Sequence, residues 1–283
     1  MQVYRGLDIG TAKPSAEERR RVPHHLIDVV DLTEPFDAAQ FVRRAREAVE
    51  DIRGRPRLPI LCGGTGLYFK AFLEGLGDAP PADAKLRAEL EAIPLPDLLR
   101  ELAERDPVTY ASVDRQNPRR VIRAVEVLRI SGRPFSEQRS DWDQSPAFAQ
   151  KLRRGKPKSR QTRARLFVMR RSPIELRQRI DLRVEAMFQQ GLVAETKQLL
   201  ERGLKQNRAA MQALGYRQVV EHLEGKRSLA ETIELVKTKT RQFAKRQLTW
   251  FRHQFDAPWV DVAEEEPPEA VAQRVLADYW VRP

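Results

Sequence analysis

Apolar residues occur along this chain both in short unbroken runs and at helical spacing. Runs at residues 26–30, 58–61, 165–170 and 259–262 predict short buried strands. Between the first two runs, residues 38–52 place apolar side chains at the 3.6-residue period of an amphipathic helix. Strands that alternate with helices in this way predict a parallel sheet, and therefore an α/β fold.

The pattern changes after Gly77, where two prolines interrupt the chain and only helical spacing follows. We therefore expect a helical insertion domain at residues 80–158, within an α/β core formed by residues 1–79 and 159–283. The basic segment 151–160 is broken by glycine and proline. It is interpreted either as a solvated linker or as a loop that contacts phosphate.

Composition narrows the class of partner. The 283 residues carry a net charge of +11, and 32% of them are charged with both signs mixed. Such an excess predicts a polyanionic partner, with nucleic acid favoured over an anionic membrane surface. No apolar run approaches the length of a membrane span and no signal peptide is evident, so we expect a cytoplasmic protein. The one cysteine, Cys62, excludes an internal disulfide and is expected in the core.

A glycine-rich turn follows the second apolar run. Residues Gly63, Gly64 and Gly66 surround Thr65 and lead into an apolar helix. Glycines let the backbone approach a ligand closely, and the first amides of a helix attract anions. Thr65 would either cap the helix or contact a substrate. The alternative is an ordinary strand-to-helix turn that binds no ligand.

Two further helices place arginines in positions that need explanation. In the helix predicted to begin at Ser172–Pro173, Arg183 lies at the edge of an apolar stripe. It is therefore either paired with a buried carboxylate or bound to a phosphate. In the helix that begins near Asn117, Arg119 and Arg123 share one face. Because like charges at this spacing repel, a phosphate grip explains them, and a solvated face is the alternative.

The longest predicted helix begins at the capping box of Ser228 and ends near residue 253. It carries four cations within about 80° of one another around the helix axis, a stripe that suits a nucleic-acid backbone. The stripe comprises Lys237, Arg241, Lys245 and Arg252. Nearby Gln247, Trp250 and Phe251 would contact bases, or the two aromatic residues belong to the core.

These segments together resemble the tRNA dimethylallyltransferase (tRNA isopentenyltransferase) family over nearly the whole chain. The resemblance rests on residues 6–14, 63–70, 117–123, 179–183, 213–218 and 244–252, which occur in the family's order. It implies a P-loop NTPase-like parallel sheet core with a helical insertion domain. It also implies transfer of a dimethylallyl group from dimethylallyl diphosphate to N6 of the adenine 3′-adjacent to the anticodon, with Mg²⁺ as cofactor and a monomer as the active form.

The resemblance also implies roles for individual residues. Arg183 would support the departing diphosphate, and Thr65 would lie in a channel close to the accepting adenine. No metal-ligating residue is implied in this chain. Contacts with the anticodon stem-loop of tRNA are implied for Arg87, Arg119, Arg120, Arg123, Gln212, Gly215, Tyr216, Arg217, Lys245, Arg246, Gln247, Trp250 and Arg252.

One departure from the family pattern concerns the N-terminus. Family members begin with a strand, a phosphate loop of the form G-x-x-x-x-G-K-[ST] and a second strand that ends in Asp-Ser, all before the segment equivalent to Met1–Tyr4. We therefore expect an N-terminally truncated core that lacks the diphosphate cradle and the proton-accepting aspartate, and that binds tRNA without transferring the prenyl group. The alternatives are a transferase whose true start lies upstream, and a small-molecule P-loop kinase whose helical insertion is a lid.

Overall fold

The computed structural model describes residues 1–138 and 165–277, and these residues are mostly helical. The predicted loop at 151–160 lies outside the described residues. Up to residue 138 the helices are α1 (Ala16–Arg21), α2 (Ala38–Gly54), α3 (Gly66–Glu74), α4 (Ala84–Glu91), α5 (Leu95–Arg105), α6 (Pro107–Ser112), α7 (Pro118–Ser131) and α8 (Phe135–Gln138). From residue 165 the elements are β1 (Val168–Arg170), α9 (Pro173–Gln189), α10 (Leu192–Glu201), α11 (Tyr216–Leu223), α12 (Leu229–Gln254), β2 (Trp259–Asp261) and α13 (Pro268–Val275).

The described residues form two compact units, one of residues 70–138 and one of residues 1–69 with 165–277. The first unit is built around α7, whose apolar side chains pack against α4 and α5. Gly132 ends α7 in a left-handed conformation with φ of 70°. Asn117 takes the predicted N-cap position, but its side chain makes no capping hydrogen bond. The predicted domain boundaries at 79/80 and 158/159 remain predictions.

The second unit contains a small parallel sheet. Strands β1 and β2 pair in parallel with Met169 opposite Val260, and an isolated parallel bridge joins Tyr4 to Val30. The predicted strands at 165–170 and 259–262 are confirmed in part by this pair. The parallel character of the sheet is confirmed, whereas a sheet that forms the core of the unit is not, because helices supply most of the packing.

Two predicted strands are wrong. Within 26–30 only Val30 bridges, because Leu26 and Asp28 adopt left-handed backbone conformations (φ 62° and 56°) that cannot continue a strand. Residues 58–61 are exposed, Ile60 to 79%, and no described residue offers them a ladder hydrogen bond. Cys62, expected in the core, is likewise exposed.

Helix α12 begins as its sequence predicts. Ser228 Oγ accepts a hydrogen bond from the Glu231 amide at 3.3 Å, and the Ser228 amide donates one to Glu231 Oε2 at 2.8 Å. The helix then runs for 26 residues and packs against α9 through Val236, Ile180 and Val184. This pair of helices positions most of the basic residues that the sequence singled out.

Candidate functional site

The glycine turn lies against the C-terminal half of α12. Gln247 Nε2 donates a hydrogen bond of 2.8 Å to the Gly64 carbonyl oxygen. A Cβ atom on Gly64 would lie 2.1 Å from Gln247 Nε2, and one on Gly66 would lie 2.0 Å from the Trp250 ring. Close packing against the indole therefore requires glycine at 66, whereas at 64 the flexible end of Gln247 is the only near contact. The fold brings the turn together with two of the predicted site residues on α12.

Thr65 lies at the exposed side of this turn. Its carbonyl accepts the amides of Tyr68 and Phe69 at 2.9 and 3.3 Å, which begin α3. Its hydroxyl has no hydrogen-bond partner among the described residues, so the predicted capping role is not observed. The hydroxyl remains available to a substrate. Burial, with smaller contributions from Tyr4 and Asp37, raises the pKa of Tyr68 to about 12, so this neighbouring phenol stays protonated at neutral pH.

Aromatic side chains pack beside the glycine turn. Trp250 meets Phe251 edge to face at a centroid distance of 5.3 Å, and Phe251 meets Phe69 at 5.8 Å. Phe251 and Phe69 are buried together with Val168 of β1. Trp250 and Phe251 thus belong to the packing that fixes the turn, which was one of the two interpretations of these residues.

Arg183 is exposed on α9, and it has no carboxylate partner among the described residues. The interpretation of Arg183 as half of a buried ion pair is therefore wrong. The neighbouring carboxylate of α9, Asp181, instead accepts a hydrogen bond from Arg241 Nε of α12 at 2.8 Å. The guanidinium of Arg183 is left free to bind an anion, as the clamp interpretation requires.

The predicted cationic stripe of α12 divides into two halves. Lys237 is buried and its ammonium bonds Glu185 and Glu234 at 2.8 and 2.7 Å. The hydrogen bonds that Lys237 donates to these two carboxylates raise its pKa. Because Arg241 is also paired with a carboxylate of α9, the first half of the stripe holds two helices together. A nucleic-acid contact by these two residues is a wrong prediction.

The second half of the stripe is free. Lys245, Arg246 and Arg252 are exposed and have no carboxylate partner in residues 1–138 or 165–277. The Arg252 guanidinium lies over the Trp259 ring, 5.7 Å from its centroid, where the π face orients it without neutralising it. These are the side chains on α12 that can meet a phosphate.

The predicted tRNA-contacting arginines of the helical unit (residues 70–138) likewise fall into an unpaired pair and an internally bonded pair. Arg119 and Arg120 are exposed and unpaired within the described part of the chain. Arg87 and Arg123 instead donate to the fully buried carboxylate of Glu126, at 2.6 and 2.7 Å. Arg123 is thus engaged in an internal contact, and the phosphate grip of Arg119 with Arg123 stays a prediction.

Glu126 organises this part of the unit. It also accepts the Asp83 amide at 3.0 Å, so it ties the start of α4 to α7. Burial alone would raise the pKa of Glu126, but the hydrogen bonds from Arg123, Arg87 and the Asp83 amide outweigh it and lower the pKa below its usual value. The carboxylate is thus charged at neutral pH and offsets part of the charge of both arginines.

The predicted contacts at 212–217 are only partly accessible. Tyr216 is fully buried, and its hydroxyl donates to Glu195 at 2.6 Å and accepts the Gly10 amide at 3.1 Å. Burial first, and then the hydrogen bond to Glu195, raise the pKa of Tyr216. A tRNA contact by Tyr216 or by the buried Gly215 is corrected by this placement, because neither offers surface to a partner.

Two residues of this segment remain accessible. Gln212 is exposed, and its amide donates to the Arg208 carbonyl at 3.1 Å. Arg217 is exposed, although its Nε donates to Glu221 at 3.1 Å. A surface ion pair of this kind is weak and easily exchanged for a phosphate.

Clusters of metal-ligating side chains and membrane-spanning helices are both absent from the described residues. Within residues 1–138 and 165–277 no group of three His, Cys, Asp or Glu side chains is placed to hold a metal ion. In the same ranges, no helix is both long and apolar enough to cross a bilayer.

Comparisons with known proteins agree with one another. The model of the IPP transferase family matches residues 2–254. The tRNA dimethylallyltransferase of Desulforudis audaxviator is 43% identical over 280 residues, which cover 98% of this chain and 86% of that protein. The tRNA dimethylallyltransferase 2 of Geotalea uraniireducens is 41% identical over 268 residues, which cover 93% of this chain and 82% of that protein.

Solved structures give the same result. The full-length tRNA isopentenylpyrophosphate transferase from Bacillus halodurans superposes with a TM-score of 0.64 at 36% identity, covering 96% of this chain and 82% of that one. A eukaryotic dimethylallyltransferase, determined as snapshots of its action on tRNA, superposes with a TM-score of 0.74 at 27% identity. That alignment covers 98% of this chain and 69% of the other.

Proposed function

The chain belongs to the IPP transferase family, and from this premise we propose that it transfers a dimethylallyl group from dimethylallyl diphosphate to N6 of the adenine 3′-adjacent to the anticodon of tRNA. The family resemblance inferred from the sequence motifs is thereby confirmed. By family the chain is a transferase. The position of the modified base, the individual residue roles and transfer by this chain are part of the proposal, and the expectation that the chain binds tRNA without transfer stays a prediction that the assay below decides.

In the proposed reaction, N6 of adenine attacks C1 of the dimethylallyl group. The C1–O bond breaks, the diphosphate leaves with the bonding electrons, and N6 loses one proton to solvent or to the departing diphosphate. Positive charge develops on the allylic carbon and negative charge on the bridging oxygen, so fixed donors near that oxygen accelerate the step. The adenine must leave its stack to reach a reagent held in the protein, which costs a few kcal/mol.

The observation that supports this function best is the exposed Thr65 turn, which Gln247 and Trp250 of α12 hold in place. The same helix carries unpaired cations that favour RNA as a partner. We assign Thr65 to the acceptor adenine and Arg183 to the diphosphate. The RNA backbone would be met by Arg119, Arg120, Arg217, Lys245, Arg246 and Arg252. Gln247 and Trp250 contribute by holding the turn.

Mg²⁺ is expected from the family, where it would neutralise charge on the diphosphate. No step is assigned to it, because the described residues contain no group of three metal-ligating side chains. The cytoplasmic location and the monomeric state are part of the proposal, since tRNA modification requires access to tRNA and no second subunit is needed to complete the turn.

The test is transfer by the purified chain. Dimethylallyl diphosphate is mixed with an anticodon stem-loop, and the RNA is analysed by mass spectrometry for one added dimethylallyl group. A stem-loop with purine in place of the target adenine lacks N6 and serves as the negative control. RNA binding without transfer would favour the alternative of a tRNA-binding protein, and absence of both would contradict the proposal.

Arg183→Gln separates the assigned role from general charge loss. We expect it to lower kcat by about 100-fold or more with little effect on RNA affinity, because a donor to the leaving group acts mainly in the transition state. Arg177→Gln is the matched control, since Arg177 is also an exposed arginine of α9 without a described partner. Equal kinetic effects of the two substitutions would contradict the assignment.

A further inference from the structure

The face of helix α12 that packs against the rest of the unit is not covered at Phe243. Val236 and Trp250 lie seven residues before and after Phe243, so all three project within about 20° of one direction. Val236 is buried against α9 and Trp250 packs with Phe251. Phe243, between them, is 42% exposed. A large aromatic side chain on the packing face of a helix is therefore open to solvent.

The exposed ring is flanked by cations. The Arg246 guanidinium lies 5.9 Å from the centroid of the Phe243 ring. Lys239, four residues before Phe243, projects within about 40° of it on the preceding turn. Both cations are exposed and lack a carboxylate partner in the part of the chain that the structure describes. An aromatic ring between unpaired cations is the arrangement that single-stranded nucleic acid requires, since bases stack on the ring and phosphates meet the cations.

The ring also lies close to the candidate reaction site. Gln247 follows Phe243 by four residues, about 6 Å along the helix axis and about 40° around it. Gln247 is the residue that holds the Gly64 carbonyl beside Thr65. The separation of Phe243 from Gln247, which holds the turn, thus corresponds to about one or two stacked nucleotides.

We propose that Phe243, with Arg246 and Lys239 beside it, is a stacking site for an unpaired base of the RNA loop that neighbours the acceptor adenine. When the acceptor leaves the stack, its neighbour loses a stacking partner, and the Phe243 ring replaces that partner. This inference rests on the proposed function, because it takes RNA with an unpaired loop as the ligand.

The test compares Phe243→Leu, which keeps apolar volume but removes the π face, with Phe243→Tyr, which keeps the ring. Affinity for the anticodon stem-loop is measured by fluorescence anisotropy over a series of salt concentrations. Phe243→Leu is expected to weaken binding by about 5- to 100-fold without changing the salt slope, because stacking releases no counterions. Phe243→Tyr is expected to retain affinity. Ile174→Ala is the control, since Ile174 is a 74% exposed apolar residue of α9.

Stem-loops with a single abasic site at each loop position locate the stacked base. One position should weaken binding to the wild-type protein and have no further effect on Phe243→Leu. Wild-type affinity in Phe243→Leu, or equal losses at every abasic position in both proteins, would overturn the stacking site alone. Failure of the wild-type protein to bind any stem-loop would refute the proposed function as well. A changed sedimentation coefficient with unchanged RNA affinity would identify a second copy as the occupant and overturn the inference.

Discussion

Gly66→Ala tests whether the glycine turn is fixed by close packing. The added Cβ would lie 2.0 and 2.1 Å from Cε3 and Cζ3 of Trp250, far inside van der Waals contact. The indole cannot simply retreat, because it meets Phe251 and Phe255 at centroid distances of 5.3 and 5.7 Å. Either the ring or the start of α3 must therefore move.

The expected cost follows from overpacking. An extra methyl group in a packed site costs about 1–3 kcal/mol, and the higher helix propensity of alanine returns at most about 1 kcal/mol. We expect a net loss of about 1–2 kcal/mol, which lowers the thermal midpoint by about 2–8 °C for a chain of this size. A shift of Thr65 by about 1 Å would reduce the transfer rate by about 100-fold.

The assay combines differential scanning fluorimetry with single-turnover transfer. Gly54→Ala is the matched control, because a Cβ there has no atom within 4 Å and the expected midpoint is unchanged or higher. Gly66→Ala combined with Trp250→Leu should be more stable than the sum of the two single changes, since the smaller side chain makes room for the methyl group. A Gly66→Ala protein with wild-type stability and rate would refute the packing argument.

Three other substitutions separate internal contacts from RNA contacts. Glu126→Gln should lower the free energy of unfolding in urea by about 3 kcal/mol at pH 7, because the buried carboxylate is lost and its arginines are left without a counter-charge. Since the pKa of Glu126 is lowered in the folded protein, its stabilisation is complete above the unfolded value of 4.5 and is lost as pH falls through the lower folded pKa. The difference in stability between variant and wild type should therefore shrink in acid. Arg119→Ala should reduce the salt slope of tRNA binding by about one contact at unchanged stability, whereas Arg123→Ala should lower the unfolding free energy and change the slope less; the reverse order would contradict the structural assignment. Tyr216→Phe should destabilise the protein by about 2 kcal/mol, because Glu195 loses a charged hydrogen bond. The salt slope of tRNA binding should not change, and a changed slope would support the predicted RNA contact of Tyr216.

Local signals in the sequence were sufficient for helix positions but not for the partners of charged residues. The capping box at Ser228 and the apolar spacing of α12 predict its start and length, and both depend only on neighbours in the chain. The fate of Lys237 and Arg241 depends on carboxylates of α9, which no spacing within α12 reveals. The burial of Glu126 between Val125 and Val127 is a signal that was missed, since an acidic residue inside an apolar helix segment requires cations around it.

Strands were predicted less well than helices for a physical reason. A strand is stabilised only when another strand supplies its hydrogen bonds, so an apolar run such as 58–61 predicts burial without identifying a partner. Residues 168–170 form a strand because 259–261 lie beside them in register. At Asp28 the left-handed backbone is held by tertiary contacts instead, since Lys13 and Arg19 both bind the Asp28 carboxylate.

The predicted RNA-contacting cations are distinguished by the carboxylates around them. A guanidinium whose charge is already compensated, such as Arg123 beside Glu126, gains little when it meets a phosphate, because it must first give up a buried partner. An exposed and unpaired cation, such as Arg119 or Lys245, gives up only water and a counterion. The salt dependence of binding should therefore arise from the unpaired set, and the buried acidic residues that remove the other cations from it determine which faces of each unit attract RNA.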